Sequence, residues 1–151
     1  MTAHKIKIGI PGAAGRMGRM LTREIDAALD LELVAASDRA GTDAIGQDSG
    51  LLAGMGSNGI IIGDDPAALA AADVIIDFTS PAASVAHAGI ASSSNTPLVV
   101  GTTGLTDEDE ASLRAAADGI ALVYCANTSV GVTLLGKLVE QVAAQLVDGW
   151  D

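Results

Sequence analysis

Gly9-Ile10-Pro11-Gly12-Ala13-Ala14-Gly15-Arg16-Met17-Gly18 is the stretch that decides the fold. It grows out of Ile6-Lys7-Ile8-Gly9-Ile10, whose β-branched content and glycine-rich boundary predict a strand. It leads into Arg16 to Leu29, where Met17, Met20, Leu21, Ile25 and Ala28 fall on one helical face. Glycine serves three purposes at such a junction. The chain turns tightly off a strand, the backbone can come within hydrogen-bond distance of a pyrophosphate, and the helix packs close to the sheet. The helix N-terminus then offers free N–H groups and positive dipole to phosphates. The spacing is Gly12-x-x-Gly15-x-x-Gly18 rather than G-x-G-x-x-G, and a turn of this composition can also simply join strand to helix. Asp38 adds context: it lies 20 residues after Gly18, at the end of the strand expected at Leu33-Val34-Ala35-Ala36. A carboxylate there would accept hydrogen bonds from the adenosine ribose hydroxyls, and Arg39 beside it could pair with a 2′-phosphate. Turn, strand, helix and acid together favour dinucleotide binding.

Working outward, short apolar runs alternate with alanine-rich amphipathic stretches. Strands are expected at Ile60-Ile61-Ile62, Val74-Ile75-Ile76-Asp77-Phe78, Pro97-Leu98-Val99-Val100-Gly101 and Ile120-Ala121-Leu122-Val123-Tyr124. Helices are expected over Pro66 to Ala72, Pro81 to Ala91, from Thr106, and over Val130 to Val147. Residues 41–59 hold six glycines and read mostly as a loop, and Ser92-Ser93-Ser94-Asn95 reads as a polar helix exit. Thr106 with Asp109 three residues on forms a capping-box variant, and the acids at 107–110 suit the helix dipole. Six strands with helical crossovers between most of them imply an α/β fold, a doubly wound, Rossmann-like parallel sheet covered on both faces.

Composition narrows the function. The 151 residues suffice for one core, and 49% apolar with 18% charged residues is not the composition of a disordered chain. No apolar run approaches the roughly 20 residues of a membrane span. One Phe, one Tyr, one Trp and a net charge of -11 argue against nucleic-acid binding. The charge is uneven, however: residues 1–40 carry six of the eight bases against five acids. An anionic ligand is best received near the N-terminal unit. The single cysteine, Cys125, can form no internal disulfide, and with no apolar signal core at the start the expected setting is cytoplasmic.

Three further loops end strands where doubly wound sheets bind ligands: Asp77-Phe78-Thr79-Ser80-Pro81, Gly101-Thr102-Thr103-Gly104 and Cys125-Ala126-Asn127-Thr128-Ser129. Their small polar residues can hydrogen-bond a ribose or carboxamide and leave room for a planar ring, although the same residues are ordinary turn formers. His87 reads as a surface helix residue, Cys125 as a small buried hydrophobe, Met17 and Met20 as helix–sheet packing, and Lys137 as solvated. The acids at 107–110 offer no spaced partner for a metal site.

Gly12-Ala13-Ala14-Gly15-Arg16-Met17-Gly18, Ile76-Asp77-Phe78-Thr79-Ser80-Pro81, Val100-Gly101-Thr102-Thr103-Gly104 and Ala126-Asn127-Thr128-Ser129-Val130-Gly131-Val132 occur in that order. The combination resembles the N-terminal, cofactor-binding part of the dihydrodipicolinate reductase (4-hydroxy-tetrahydrodipicolinate reductase) family of bacterial lysine and diaminopimelate synthesis. The resemblance implies an NAD(P)H-dependent reductase that passes hydride to a cyclic dicarboxylate. By it, Gly12, Ala13, Ala14, Gly15, Arg16 and Met17 hold the pyrophosphate, Asp38 the adenosine ribose, and Arg39 the extra phosphate of NADP. Phe78, Gly101, Thr102, Thr103, Cys125, Ala126, Asn127 and Thr128 complete the cofactor pocket, with Thr103 nearest the substrate. Thr128 stands where the family often has an aromatic. Asp38 and Arg39 together leave NAD and NADP both open.

The family continues into a second domain with an E-x-H-H-x-x-K-x-D-x-P-S-G-T motif, whose His and Lys donate the proton and bind the substrate carboxylate. The sequence reaches Asp151 without it. The expectation is a dinucleotide-binding domain at 1–129 and a helix at 130–151 leading toward that substrate and oligomerisation domain. Alone, the chain would bind the cofactor with little turnover, expose apolar surface, and not form a family-like tetramer. Competing readings are a non-catalytic nucleotide-binding module and a CoA-binding Rossmann domain; CoA needs no acid at Asp38.

Overall fold

The computed structural model describes residues 4–146. Five strands, β1 (Ile6–Pro11), β2 (Leu31–Ser37), β3 (Val74–Asp77), β4 (Leu98–Val100) and β5 (Leu122–Tyr124), form one parallel sheet in the order β2-β1-β3-β4-β5. The helices are α1 (Arg16–Ala27), a single turn α2 (Ser49–Leu52), α3 (Pro81–Ser94), α4 (Asp107–Ala117) and α5 (Val130–Ala143), with a 3-10 helix at Pro66–Ala71. The chain runs outward from β1 to β2, then crosses to the other side of β1 for β3. That reversal opens a crevice beyond the carboxyl ends of β1 and β3.

Apolar side chains fill both sides of the sheet. Ile8, Ile10, Leu33 and Ala36 pack with Ile25 of α1 and Ile62, while Ile75, Leu98 and Val100 pack with Ala88 and Ala91 of α3 and Leu113 and Ala116 of α4. Ile8 and Ile10 of β1 face one layer and Leu98 and Val100 of β4 the other, as the period of two requires, while β2 breaks the alternation at Val34-Ala35, beside a shift in its register with β1. The caps follow local chemistry. The Thr106 hydroxyl accepts from Asp109 N at 3.2 Å, and the Asp109 carboxylate accepts from Thr106 N at 2.9 Å, closing the expected capping box.

Several expectations are corrected. Ile60-Ile61-Ile62 is not a strand of the sheet. Its backbone pairs with the preceding loop (Ser49 N to Ile60 O, 2.8 Å; Ile62 N to Gln47 O, 2.9 Å), so the β-branched run forms only an isolated bridge and plugs the core with Ile62. Ser92 to Ser94 belong to α3 rather than to its exit. The Ser93 and Ser94 hydroxyls bond back to the carbonyls of Gly89 and Ile90 at 2.8 and 2.9 Å, and Asn95 ends the helix at φ +54°. The 41–59 loop contains α2, capped by Asp48. Along α1 the buried residues are Gly18, Thr22 and Ile25, and Met20 is exposed. Of the expected face, Ile25 is buried, Leu21 packs against the core, Met17 and Ala28 are half-buried, and Met20 alone points outward; the tightest contact is made by Gly18, which a hydrophobic pattern does not register.

Helix α5 follows a Ser129 cap and is exposed along its whole length, Leu134, Leu135 and Leu138 included, as is Lys137. Nearby, Ile76, Val99 and Val123 stand in register on one face of β3, β4 and β5, and Val123 is exposed. The expected end of the last helix at Val147 lies outside the described residues.

Candidate functional site

The crevice at the strand reversal measures about 660 Å³. The turn after β1 forms one wall (Gly12, Ala14, Gly15), and the segment after β2 adds Ser37, Asp38, Arg39 and Ala40. Asp64 and Pro66 close one side, and Phe78, Thr79, Ser80 and one face of α3 (Ala83, Ala86, His87) form the opposite wall.

Two glycines make this turn possible. Gly12 sits at φ +66°, a left-handed conformation that an L side chain rarely adopts, and a Cβ there would come within 2.7 Å of Thr79 Cγ2. Gly18 has the tightest neighbours: a Cβ would run into the carbonyl oxygen of Gly12 and lie 2.6 Å from Ala13 Cα. Only a bare Cα lets the first turn of α1 rest on the loop. The loop itself is pinned by Ala13 N donating to Ser37 O at 3.0 Å and Gly15 N to Gly12 O at 3.0 Å.

Helix α1 starts without a side-chain cap and without an acid in its first turn. Among the described residues, the N–H groups of Arg16, Met17 and Gly18 donate to no protein acceptor. Helix α3 also begins uncapped, at Ser80 and Pro81. The other helical N-termini carry side-chain caps, from Asp48, Asp65, Thr106 and Ser129. Both open helix ends border the crevice, where partial positive charge and unspent donors favour an anion.

Asp38 stands half-buried at the crevice edge. Its Oδ2 accepts from Ala14 N at 2.9 Å and its Oδ1 from Arg39 N at 2.7 Å. It thereby braces the glycine turn. A carboxylate has about four acceptor positions, so two remain for hydroxyl donors in the crevice. Arg39 is exposed beside it and lines the same space.

Behind the opposite wall lies a buried polar network. Asp77, fully buried at the end of β3, accepts through Oδ1 from Thr79 N (2.8 Å) and Thr79 Oγ1 (2.6 Å), and through Oδ2 it meets His87 Nδ1 at 2.8 Å. Thr102 Oγ1 accepts from Ser84 Oγ at 2.7 Å and from Thr79 N at 3.0 Å. Burial pushes the Asp77 carboxyl up, but the bonds from His87 and Thr79 outweigh it and hold the group below its ordinary value. His87 is therefore no surface residue, which corrects the sequence expectation: Asp77 draws it inward. The signal was present as a lone carboxylate in the apolar run Val74 to Phe78, which needs a partner, followed by a helix of small residues with one imidazole.

The remaining expected site residues sit apart from this crevice. Gly101 is buried because the Phe78 ring occupies the place of its Cβ. Thr102 is buried and turned into the Asp77 network, and Thr103 is exposed. Cys125, Ala126, Asn127 and Thr128 are all exposed. Cys125 is not the buried hydrophobe expected: β5 ends at Tyr124 and the thiol reaches Asn127 O at 3.0 Å. Arg16 is exposed and Met17 half-buried at the head of α1. No cluster of His, Cys, Asp or Glu suited to a metal ion occurs among the described residues.

A doubly wound parallel sheet with a glycine-shaped crevice at its strand reversal defines a Rossmann-type domain. The family model described as dihydrodipicolinate reductase, N-terminus, matches residues 6–128, and the chain belongs to that family. It is 51% identical over 146 residues to the 4-hydroxy-tetrahydrodipicolinate reductase of Alkalilimnicola ehrlichii, covering 96% of this chain and 55% of that protein. It is 44% identical to that of Burkholderia multivorans, covering 97% and 55%. The chain thus spans about half the length of the curated relatives it matches. Among solved structures, the dipicolinate-bound dihydrodipicolinate reductase of Paenisporosarcina sp. TG-14 superposes with a TM-score of 0.68 at 22% identity, over 97% of this chain and 62% of that one, which supports the fold.

Proposed function

We propose that this chain is the nicotinamide-dinucleotide-binding part of a reductase acting on a cyclic dicarboxylate in lysine and diaminopimelate synthesis, in a cytoplasmic setting. The observation that carries the reading is the crevice itself: an uncapped α1 N-terminus, a turn with room only for glycine at Gly12 and Gly18, and Asp38 on the same rim. NADH and NADPH fit this donor set. The N–H groups of Arg16, Met17 and Gly18 meet pyrophosphate oxygens, the backbone of Gly12 to Gly15 permits the approach, and Asp38 takes ribose hydroxyls. Arg39 pairs with the 2′-phosphate when NADPH is bound. Gly101, Thr102 and Thr103, with Cys125 to Thr128, frame the nicotinamide end, and Thr103 borders the substrate. When bound, the cofactor supplies the hydride; these residues orient it and keep one face open.

Calorimetric titration tests the reading. NADH and NADPH bind with measurable heat, and coenzyme A neither binds nor competes. Absence of heat with both dinucleotides at millimolar concentration, or displacement by coenzyme A, would contradict it. Nucleic acid and membranes are not partners in this reading: the net charge is -11, and no described helix is long and apolar enough to cross a membrane.

A further inference from the structure

We propose that Ser84, buried on α3, is a positioning residue: its hydroxyl holds Thr102 and thereby fixes the loop 101–104 for the nicotinamide half of the dinucleotide. The inference rests on the dinucleotide reading above. Ser84 is wholly buried in a helix of small residues. A helical serine often turns its hydroxyl back to a carbonyl one turn earlier, as Ser93 and Ser94 do here at 2.8 and 2.9 Å. Ser84 does not. It donates to Thr102 Oγ1 at 2.7 Å, 18 positions away in the loop after β4. Alanine would serve the helix and its packing better. The buried hydroxyl is satisfied by its bond to another element.

The sheet's own hydrogen bonds stop short of this loop. The β3–β4 ladder pairs Asp77 with Val100 and ends with Gly101 N donating to Asp77 O at 2.8 Å. Beyond it, among the described residues, no backbone–backbone bond joins 78–80 to 102–104. Side chains carry the pairing onward. Thr79 N reaches Thr102 Oγ1 at 3.0 Å but also donates to Asp77 Oδ1 at 2.8 Å, and Thr102 Oγ1 lies 3.5 Å from that same Oδ1. The bond from Ser84 is the shortest of the three that hold Thr102. Both lone pairs of the Thr102 hydroxyl are thereby filled within the protein, so the loop meets a ligand with its backbone and with exposed Thr103. Topology brings the ligand there. The pyrophosphate falls at the head of α1 and the adenosine ribose at Asp38, after β2. The other half of the dinucleotide then runs the opposite way along the order β2-β1-β3-β4-β5, past Phe78 to the carboxyl end of β4. Phe78 lines the crevice, and its ring fills the place of a Cβ on Gly101, so the loop is seated directly behind that wall.

Calorimetry on the whole chain compares NADH with ADP-ribose, which keeps the adenosine and the pyrophosphate and lacks the nicotinamide. The wild-type chain binds NADH about tenfold or more the tighter, the worth of one or two net hydrogen bonds. Ser84→Ala lowers NADH affinity about fivefold and leaves ADP-ribose unchanged, so the preference shrinks. Ser93→Ala makes the same deletion in the same helix, where the hydroxyl serves only its own turn, and both affinities stay at the wild-type level. A merely structural role for Ser84 would weaken both ligands in proportion. Proportional loss of both ligands in Ser84→Ala, an undiminished NADH preference there, or equal binding of the two ligands by wild type overturns the proposal while leaving the dinucleotide reading intact. Failure of wild type to bind either ligand overturns both. If Ser84→Ala does not fold, Ser84→Cys, with its weaker donor, decides by the same ratio.

Discussion

Gly18→Ala adds one methyl group where the structure has no space for it. The new Cβ would collide with Gly12 O and lie 2.6 Å from Ala13 Cα. Both are backbone atoms of the glycine turn, so neither can rotate aside. Either α1 lifts from the sheet, breaking the packing of Thr22 and Ile25, or the turn distorts. Overpacking of this kind costs about 1–3 kcal/mol. Because alanine also favours the helix by up to about 1 kcal/mol over glycine, the observed loss is the difference. Gly89→Ala in α3 makes the same chemical change in open space. It has only the propensity gain, about 0.5–1 kcal/mol. For a chain of this size 1 kcal/mol moves Tm by roughly 2–4 °C. Thermal denaturation of the two variants should therefore shift in opposite directions, Gly18→Ala downward and Gly89→Ala upward by a few degrees. Gly18→Ala should also bind NADH at least about tenfold more weakly, since the turn and the donors at Arg16 and Met17 move together. A Gly18→Ala protein as stable as Gly89→Ala, with unchanged affinity, would refute the claim that this glycine sets the closeness of helix and turn.

Arg39→Ala is expected to lower NADPH affinity about tenfold and leave NADH nearly unchanged, because the lost contact is charge-assisted and serves only the 2′-phosphate; equal losses for both cofactors would remove Arg39 from that role. Asp48 accepts from Ser57 Oγ and from the backbone of Leu51, Asn58 and Gly59, and these bonds hold its carboxyl far below the ordinary value. Its stabilisation is complete above the unfolded carboxyl value near pH 4 and is lost as pH falls from there toward the depressed folded value. Urea denaturation of Asp48→Asn should show lower stability at neutral pH and a shallower acid slope; an unaltered slope would contradict the assignment. Cys125, being exposed, should react with a thiol reagent in the folded protein at close to the rate seen in urea, whereas strong protection would return it to the core.

The sheet was legible because its strands are short apolar runs separated by glycine and proline, and periodicity reports such burial directly. The glycine turn and Asp38 were legible because their chemistry demands fixed residue types at fixed places. Ile60 to Ile62 misled because β-branched composition tells that a segment is extended and buried, not which neighbour takes its hydrogen bonds. Here loop residues 46–49 take them. His87 was misplaced because helical spacing in an alanine-rich segment has little amplitude, and the force that buries it comes from Asp77, ten residues away on another element. The Thr102 hydroxyl bonds Ser84 and Thr79 of the segment after β3, a pairing that its own loop does not announce. Long-range polar pairing leaves no periodic trace; it is read from lone polar residues in apolar runs.

The central claim is that the amide groups opening α1 are reserved for a diphosphate. Amide chemical-shift mapping of the labelled chain during NADH titration addresses it residue by residue. Large, saturable shifts are expected at Arg16, Met17 and Gly18, accompanied by Asp38, with α4 undisturbed. Saturable binding that leaves the amides of 16–18 unmoved would contradict it.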